Sequence, residues 1–187
     1  MNSKLQEYMD IPWGNLVHSY GRASDFPPQV ERLLNKDNDV YAIIKSNIEH
    51  QDTIWPATPF MLRVLLELIN NTQADNEQLL TIYKRVWNAT DNFITHYKDA
   101  VKQTMFKLDD ILNSDMVWPD FIGDDEDEEA ILWEEFDYTQ QDWFNCCCLS
   151  LDLFKEYSQQ IRDLSNLDDK YKELANNLYN RIESFMK

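Results

Sequence analysis

Apolar residues recur along this chain at steps of three and four positions, which is the spacing of one face of an α-helix. Alternation of apolar and polar residues, which would indicate strands, has little support anywhere, and the chain contains only three Gly and six Pro. The pattern predicts an all-α fold and a single helical domain over residues 1–187. Its helices are expected to form antiparallel pairs, in either a repeat-like stack or an irregular helical bundle.

The first third of the chain is predicted to hold several short helices. One would run from Pro12 to Tyr20 and end at Gly21, which can adopt the left-handed backbone conformation that closes helices. Two more would begin after Asp25 and Asn38. The segment 58–70 is apolar on nearly every side, so we expect it at the centre of the fold.

Three longer helical segments are predicted to follow. The segment 76–113 is periodic enough for one helix of about ten turns, or for two helices that meet near Ala89-Thr90. The acidic, aromatic segment 118–162 is predicted to open with a break at 118–123, after which a long helix would start in the acid cluster and run through Ile161. The residues Ser165 to Asp168 resemble a capping box that opens a C-terminal helix over 166–187.

Two blocks near the N-terminus resemble the motifs of a protein family. The first is Trp13-Gly-Asn-Leu-Val-His-Ser-Tyr-Gly21 followed by Ser24-Asp-Phe-Pro27, and the second is His50-Gln-Asp-Thr-Ile-Trp-Pro-Ala-Thr-Pro-Phe60. They are similar to the W-x-x-L-x-H-A-Y-G…D-x-P and H-Q-G-T-V-Y-x-A-T segments of bacterial HEAT-like repeat proteins of the phycobilisome-lyase type, with Asp52 where the family has Gly. The resemblance covers residues 13–69. It implies HEAT-like helices over 13–70 and a binding role more readily than a reaction.

The same two blocks carry candidate chemistry that has two interpretations. In the structural one, the histidines donate to carbonyls at helix ends, while Asp25 or Thr58 accepts from amides at a helix start. In the functional one, His18, His50 and Asp25 converge as a metal or acid/base site, although separations of seven and 25 residues match no metal motif. A partner-binding face in this region would be formed by His18, Tyr20, Asp25, His50 and Trp55.

Charge is distributed very unevenly along the chain. The formal net charge is −17, and residues 108–154 contain 15 acidic residues and no Lys or Arg. The other 140 residues hold 17 basic and 19 acidic residues. Because like charges repel, this balance argues against binding of a nucleic-acid backbone.

The acidic segment also contains aromatic residues at intervals. Edge aromatics ringed by carboxylates are typical of a protein interface, with the rings as anchors and the charges steering a basic partner. A solvated acidic loop beside an ordinary amphipathic helix is the alternative, and the run lacks the alternating oxygen ligands and the internal glycine of a calcium-binding EF-hand. The candidate partner-binding residues are Asp124, Asp125, Glu126, Asp127, Glu128, Glu129, Trp133, Glu134, Asp137 and Trp143.

The cysteine pattern predicts no disulfide and no metal centre. The three cysteines are consecutive, at 146–148, and neighbouring helical residues point about 100° apart, so their sulfurs cannot converge on one ion. We expect them to pack as small hydrophobic side chains in a reducing cytoplasm. The N-terminus lacks a signal-peptide pattern and no apolar run is long enough for a membrane span. No metal or other cofactor is predicted.

Three functional hypotheses follow. The first is a non-enzymatic immunity or antidote protein that neutralises a basic bacterial toxin, such as a nuclease, through its acidic surface. The second is a HEAT-like scaffold that binds a host protein through its N-terminal helices. The third is an enzyme using His18 and His50, for which no nucleophile, glycine-rich loop or cleft signature gives support.

Overall fold

The computed structural model describes residues 7–8, 10–69, 71, 73–99, 101, 106–120 and 126–185, with the side chains of 126–129 and 135 outside that description. It is 68% helix and 5% strand, so the predicted all-α fold class is confirmed. Within the described residues, no helix combines the length and apolar character that a membrane span requires.

The N-terminal region differs from the predicted helix at Pro12–Tyr20. Two short 3₁₀ turns, Trp13–Asn15 and Ala23–Asp25, flank a hairpin of strands β1 (Val17–His18) and β2 (Gly21–Arg22). The Ser19 hydroxyl at the hairpin tip donates to the carbonyls of Ser46 and Asn47, at 2.7 and 2.9 Å. Contacts with a distant segment therefore fix this conformation, and the apolar spacing could not reveal them.

The next helices match their predicted positions. Helices α1 (Phe26–Leu34) and α2 (Val40–Ile48) are followed by a second hairpin, β3 (Glu49–His50) and β4 (Thr53–Ile54), and by α3 (Ala57–Glu67). The α3 helix is buried over most of its length, as expected for the centre of the fold. In the expected HEAT-like region, helices thus occupy much of 26–67 but not the segment 13–25.

The second hairpin was also missed by the helical pattern. Its two-residue turn places Gln51 and Asp52 at φ of 53° and 59°, a primed turn that Asp tolerates without a glycine. The buried carboxylate of Glu49 accepts a hydrogen bond from the Asp52 amide at 2.9 Å and another from the Arg85 guanidinium. These bonds hold the hairpin against the following long helix.

That long helix, α4 (Asn76–Tyr97), is continuous through Ala89-Thr90 and is capped by the Asp75 carboxylate, which accepts from the amide of Glu77 at 2.9 Å. The expected helix over 76–113 is wrong in both of its forms. The helix neither breaks at Ala89 nor continues to residue 113, and α5 (Leu108–Ile111) is a separate single turn.

The expected long helix in the acidic aromatic segment is divided into three. Helices α6 (Glu126–Glu135), α7 (Gln140–Glu156) and α8 (Ser158–Leu164) are followed by α9 (Asp169–Phe185). The division before α7 arises because Thr139 and Asp142 form a reciprocal capping box. The expected capping box at Ser165 is wrong, because the Ser165 hydroxyl donates to the Arg162 carbonyl, while Asp168 accepts from the Lys170 amide.

Helices α3, α4 and α7 pack together at the centre of the molecule, and α9 packs against α8 and α4. The fully buried Trp87 ring contacts Phe154 edge-on at 5.5 Å between ring centroids. The buried Tyr83 hydroxyl donates to the Leu65 carbonyl at 2.6 Å. The two hairpins pack against this core, β1 on α3 and β3 and β4 on α4.

Candidate acidic aromatic surface

An aromatic cluster joins the loop after β4, the segment before α6, and the region of α6 and α7. The rings of Trp55 and Trp133 lie 5.1 Å apart between centroids, those of Trp118 and Trp133 5.8 Å, and those of Trp55 and Trp143 6.2 Å. We call the following set the aromatic cluster: Trp55, Trp118, Trp133, Phe136, Tyr138 and Trp143.

Part of this cluster reaches solvent beside carboxylates. Trp133 is 38% exposed and Ile131, on the same helix, is 53% exposed. The side chains of Glu134 and Asp137 are exposed and form no ion pair with the residues that the structure describes. We call Trp133, Glu134 and Asp137 the acidic aromatic surface. The Trp133 ring rests on the rings of Trp55 and Trp118, so it is already positioned for contact.

The structure describes the remaining candidate acids only in part. Asp124 and Asp125 lie outside the described residues, and so do the side chains of Glu126, Asp127, Glu128 and Glu129. The backbone of 126–129 forms the first turn of α6, a position where negative charge is favoured by the helix dipole.

The floor of the cluster is anchored to the N-terminal region by polar contacts. The Asn15 amide donates to the Trp118 carbonyl at 3.0 Å and to the Asp120 carboxylate at 2.9 Å. The Arg22 guanidinium donates to the Pro119 carbonyl at 2.9 Å and lies over the Trp118 ring, 5.3 Å from its centroid. Sequence reasoning missed Asn15 and Arg22, because no local pattern links residues about a hundred positions apart.

Tyr138 is buried at the base of the aromatic cluster. Its hydroxyl donates to the Met116 carbonyl at 3.2 Å, and burial raises the pKa of this phenol far above its usual range. The phenol therefore stays neutral at physiological pH and acts as a fixed donor.

The second candidate set does not come together as one site. His18 is buried, and its Nε2 lies 2.9 Å from the Asp25 carboxylate, while its Nδ1 accepts from the Tyr20 amide at 3.0 Å. A nitrogen that accepts a hydrogen bond carries no proton, so the network assigns a neutral imidazole that donates through Nε2 to Asp25. Both ring nitrogens are thus occupied, which is an arrangement suited to structural support.

Two amides complete the environment of the Asp25 carboxylate. The side-chain amide of Asn47 donates to it at 2.9 Å, and that of Gln29 donates to the same oxygen. Asp25 therefore connects β1, α1 and α2. The expected capping role is wrong, because the Asp25 side chain accepts no hydrogen bond from an α1 amide. Thr58 instead accepts from the Trp55 amide and donates to the Ile48 carbonyl.

His50 belongs to a separate contact. Its Nδ1 lies at hydrogen-bonding distance, 3.2 Å, from the hydroxyl of Tyr20, which is 61% exposed. Trp55, predicted with this group, lies in the aromatic cluster instead, against Trp133. In the part of the chain that the structure describes, no three His, Cys, Asp or Glu side chains are grouped as metal ligands.

The cysteines pack as expected for small hydrophobic residues. Cys146 and Cys147 are buried and Cys148 is half-buried, and all three are free thiols. Burial raises the pKa of each thiol, to about 11 for Cys148. Thiols with pKa values this high are weak nucleophiles at neutral pH.

Comparisons of the chain with protein-family models, with curated proteins and with solved structures found no match.

Proposed function

We propose that this chain is a non-enzymatic protein-binding module that captures a basic protein on its acidic aromatic surface. The observation that carries the proposal is a partly exposed Trp133, which packs against two other tryptophans and is followed in sequence by the exposed carboxylates of Glu134 and Asp137, neither of which forms an ion pair with a described residue. Aromatic anchors of this kind contribute much of the binding energy at interfaces, and surrounding charges accelerate association with an oppositely charged partner.

An immunity or antidote protein for a basic bacterial toxin is the class that fits this surface best. A toxin that cleaves nucleic acid presents a cationic groove, and a surface with the charge of a phosphate backbone can occupy that groove. The segment 108–154, with 15 acids and no Lys or Arg, supplies such charge. Such an antidote would act in the cytoplasm of the bacterium that makes the toxin, which is where we place this protein.

The first experiment identifies the partner by affinity purification from cells that express the tagged chain at native level. Proteins retained by the unaltered chain are compared with those retained by Trp133→Ala. The proposal expects a basic protein that is enriched on the unaltered chain and lost from the variant. Equal recovery of every protein on both baits would contradict it.

The second experiment measures the affinity of that protein for charge variants. Glu134→Gln/Asp137→Asn is expected to weaken binding by about threefold to tenfold, mainly through a slower association rate, and to reduce its salt dependence. The matched control Glu31→Gln/Glu173→Gln removes the same charge from exposed positions on α1 and α9. An equal loss in both variants would mean that net charge, rather than this surface, determines binding.

A second candidate function is a scaffold that binds through the N-terminal hairpins. The observation that favours it is the exposure of Tyr20, whose ring lies 5.4 Å from that of His50 between centroids. Trp55 no longer separates the two candidates, because it lies in the aromatic cluster. Tyr20→Ala does separate them, since it should abolish binding only if the hairpins form the interface.

A further inference from the structure

A cavity of about 670 Å³ lies on another part of the molecule, between α4, α7, the end of α9 and residues 106–107. Ligand pockets for small organic molecules fall in the range of roughly 300 to 1,000 Å³. The apolar part of its wall is formed by Ile94, Phe106, Phe144, Cys148, Leu151 and Phe185. Phe185 is 38% exposed, so apolar surface continues to the mouth of the cavity.

The polar part of the wall is cationic. Lys98, Lys107 and Lys155 line it together with one acid, Asp152. Lys155 is paired with Asp152 at 2.9 Å. Lys98 and Lys107 are exposed and form no ion pair with described residues. Two ammonium groups that form no ion pair with a described residue, beside an apolar wall, are unexpected in a chain whose net charge is −17.

We propose that this cavity binds an anionic amphiphile, a medium-chain carboxylate, with its hydrocarbon chain against the apolar wall and its carboxylate at Lys98 and Lys107. Burial of the hydrocarbon chain provides the larger part of the affinity, since each buried methylene contributes about 0.8 kcal/mol. The lysines fix the orientation of the ligand and select the charge of its head group.

Charge complementarity favours the anionic amphiphile over simpler ligands. An uncharged apolar molecule would leave the two ammonium groups unused, and a small inorganic anion would leave the apolar wall exposed to water. The net negative charge of the protein attracts a cationic amphiphile, but the lysines at the cavity repel it. Selectivity for the anion over the cation is therefore the decisive property.

The Cys148 thiol provides a reporter inside the cavity. It is half-buried, whereas Cys146 and Cys147 are buried, so Cys148 should be the thiol that reacts in the folded protein. Burial raises the pKa of Cys148 to about 11, so alkylation with iodoacetamide is followed at mildly alkaline pH, where a larger share of the thiol is ionised. Peptide mapping by mass spectrometry identifies the modified cysteine.

The experiment compares decanoate, decanol and decyltrimethylammonium, each as monomers well below the micelle concentration. The proposal expects decanoate to slow the alkylation of Cys148 at lower concentrations than either of the other two. Protection by decyltrimethylammonium at equal or lower concentration would overturn it, because net charge would then govern binding. Absence of protection by decanoate, with direct calorimetry also showing no binding, would overturn it too.

A charge variant tests the role of the lysines. Lys98→Gln/Lys107→Gln should weaken decanoate binding by about tenfold and leave decanol binding unchanged. The control Lys36→Gln/Lys84→Gln alters net charge equally at exposed positions that do not line the cavity. Circular dichroism verifies that both variants are folded. Equal decanoate affinity in the two variants would remove Lys98 and Lys107 from the site.

Discussion

Asp25 is the residue on which the N-terminal region depends most. Its carboxylate accepts hydrogen bonds from His18, Gln29 and Asn47, three side chains that belong to β1, α1 and the end of α2. His18 is buried, and the loss of Asp25 removes the carboxylate to which its Nε2–H donates. A buried donor that loses its acceptor is costly.

We therefore predict that Asp25→Ala lowers the free energy of unfolding by about 1–3 kcal/mol, measured by urea denaturation. The comparison variant is Asp39→Ala, an exposed residue whose side chain does not cap α2, and it should change stability little. If Asp25→Ala were as stable as Asp39→Ala, the His18 network would not support the fold.

The sequence predicted that His18 and Asp25 are significant but not how they are used. Their residue types are those of an acid/base pair, and a separation of seven positions is compatible with contact. The amide of Tyr20 and the side chain of Asn47 decide the outcome, because the first donates to His18 Nδ1 and the second donates to the Asp25 carboxylate. Such partners are determined by the hairpin conformation, which the apolar pattern does not contain.

At the scale of elements, Thr139 marks a boundary that the hydrophobic pattern conceals. Its hydroxyl accepts from the Asp142 amide, and the Asp142 carboxylate accepts from the Thr139 amide at 2.9 Å. Apolar residues continue at helical spacing on both sides, so the apolar pattern by itself predicts a single helix. The capping box begins α7 after α6 has ended, and Trp133 of α6 packs against Trp55.

Thr139→Ala is expected to lower the free energy of unfolding by about 1 kcal/mol, because α7 loses the side chain that satisfies an amide in its first turn. Thr139→Ser keeps the hydroxyl and serves as the matched control. The measurement is thermal unfolding followed by circular dichroism. A loss of stability in the serine variant equal to that in the alanine variant would show that the hydroxyl contributes nothing.

Helices with a clear apolar stripe were predictable, and α1, α2 and α3 lie where the periodicity placed them. The two hairpins were not, because strands of two residues are too short to display alternation. In the candidate surface, Trp133 at the edge of a buried stripe was predictable from helical geometry. Its contact with Trp55 was not, since tertiary packing brings together residues 78 positions apart.

At the scale of the whole molecule, the buried phenols and thiols predict sensitivity to alkali. Burial raises the pKa of Tyr83 well above 10 and that of Cys147 well above 9. In the unfolded chain these groups lose their protons near pH 9 to 10, whereas the folded state retains them. Their contribution to stability is therefore complete below about pH 9 and is lost as pH rises above it.

We predict that the free energy of unfolding falls between pH 9 and 11, by about 1.4 kcal/mol per pH unit for each such group once its unfolded form is ionised. Urea denaturation at fixed ionic strength measures this. Tyr83→Phe should show a shallower slope above pH 10, even though it also loses the hydrogen bond to Leu65. Identical slopes would exclude Tyr83 as a contributor.

The aromatic cluster also allows binding to be followed by the intrinsic tryptophan fluorescence of this chain. It contains four of the six tryptophans, and their rings form a continuous chain of contacts through Trp55 and Trp133. Excitation can migrate among rings this close. A quencher at the exposed Trp133 would therefore also reduce the fluorescence of the neighbouring tryptophans. Trp87 lies apart and contacts Phe185 at the mouth of the cavity. Intrinsic fluorescence can therefore distinguish a protein partner at the acidic aromatic surface from a small ligand in the cavity, with no attached dye.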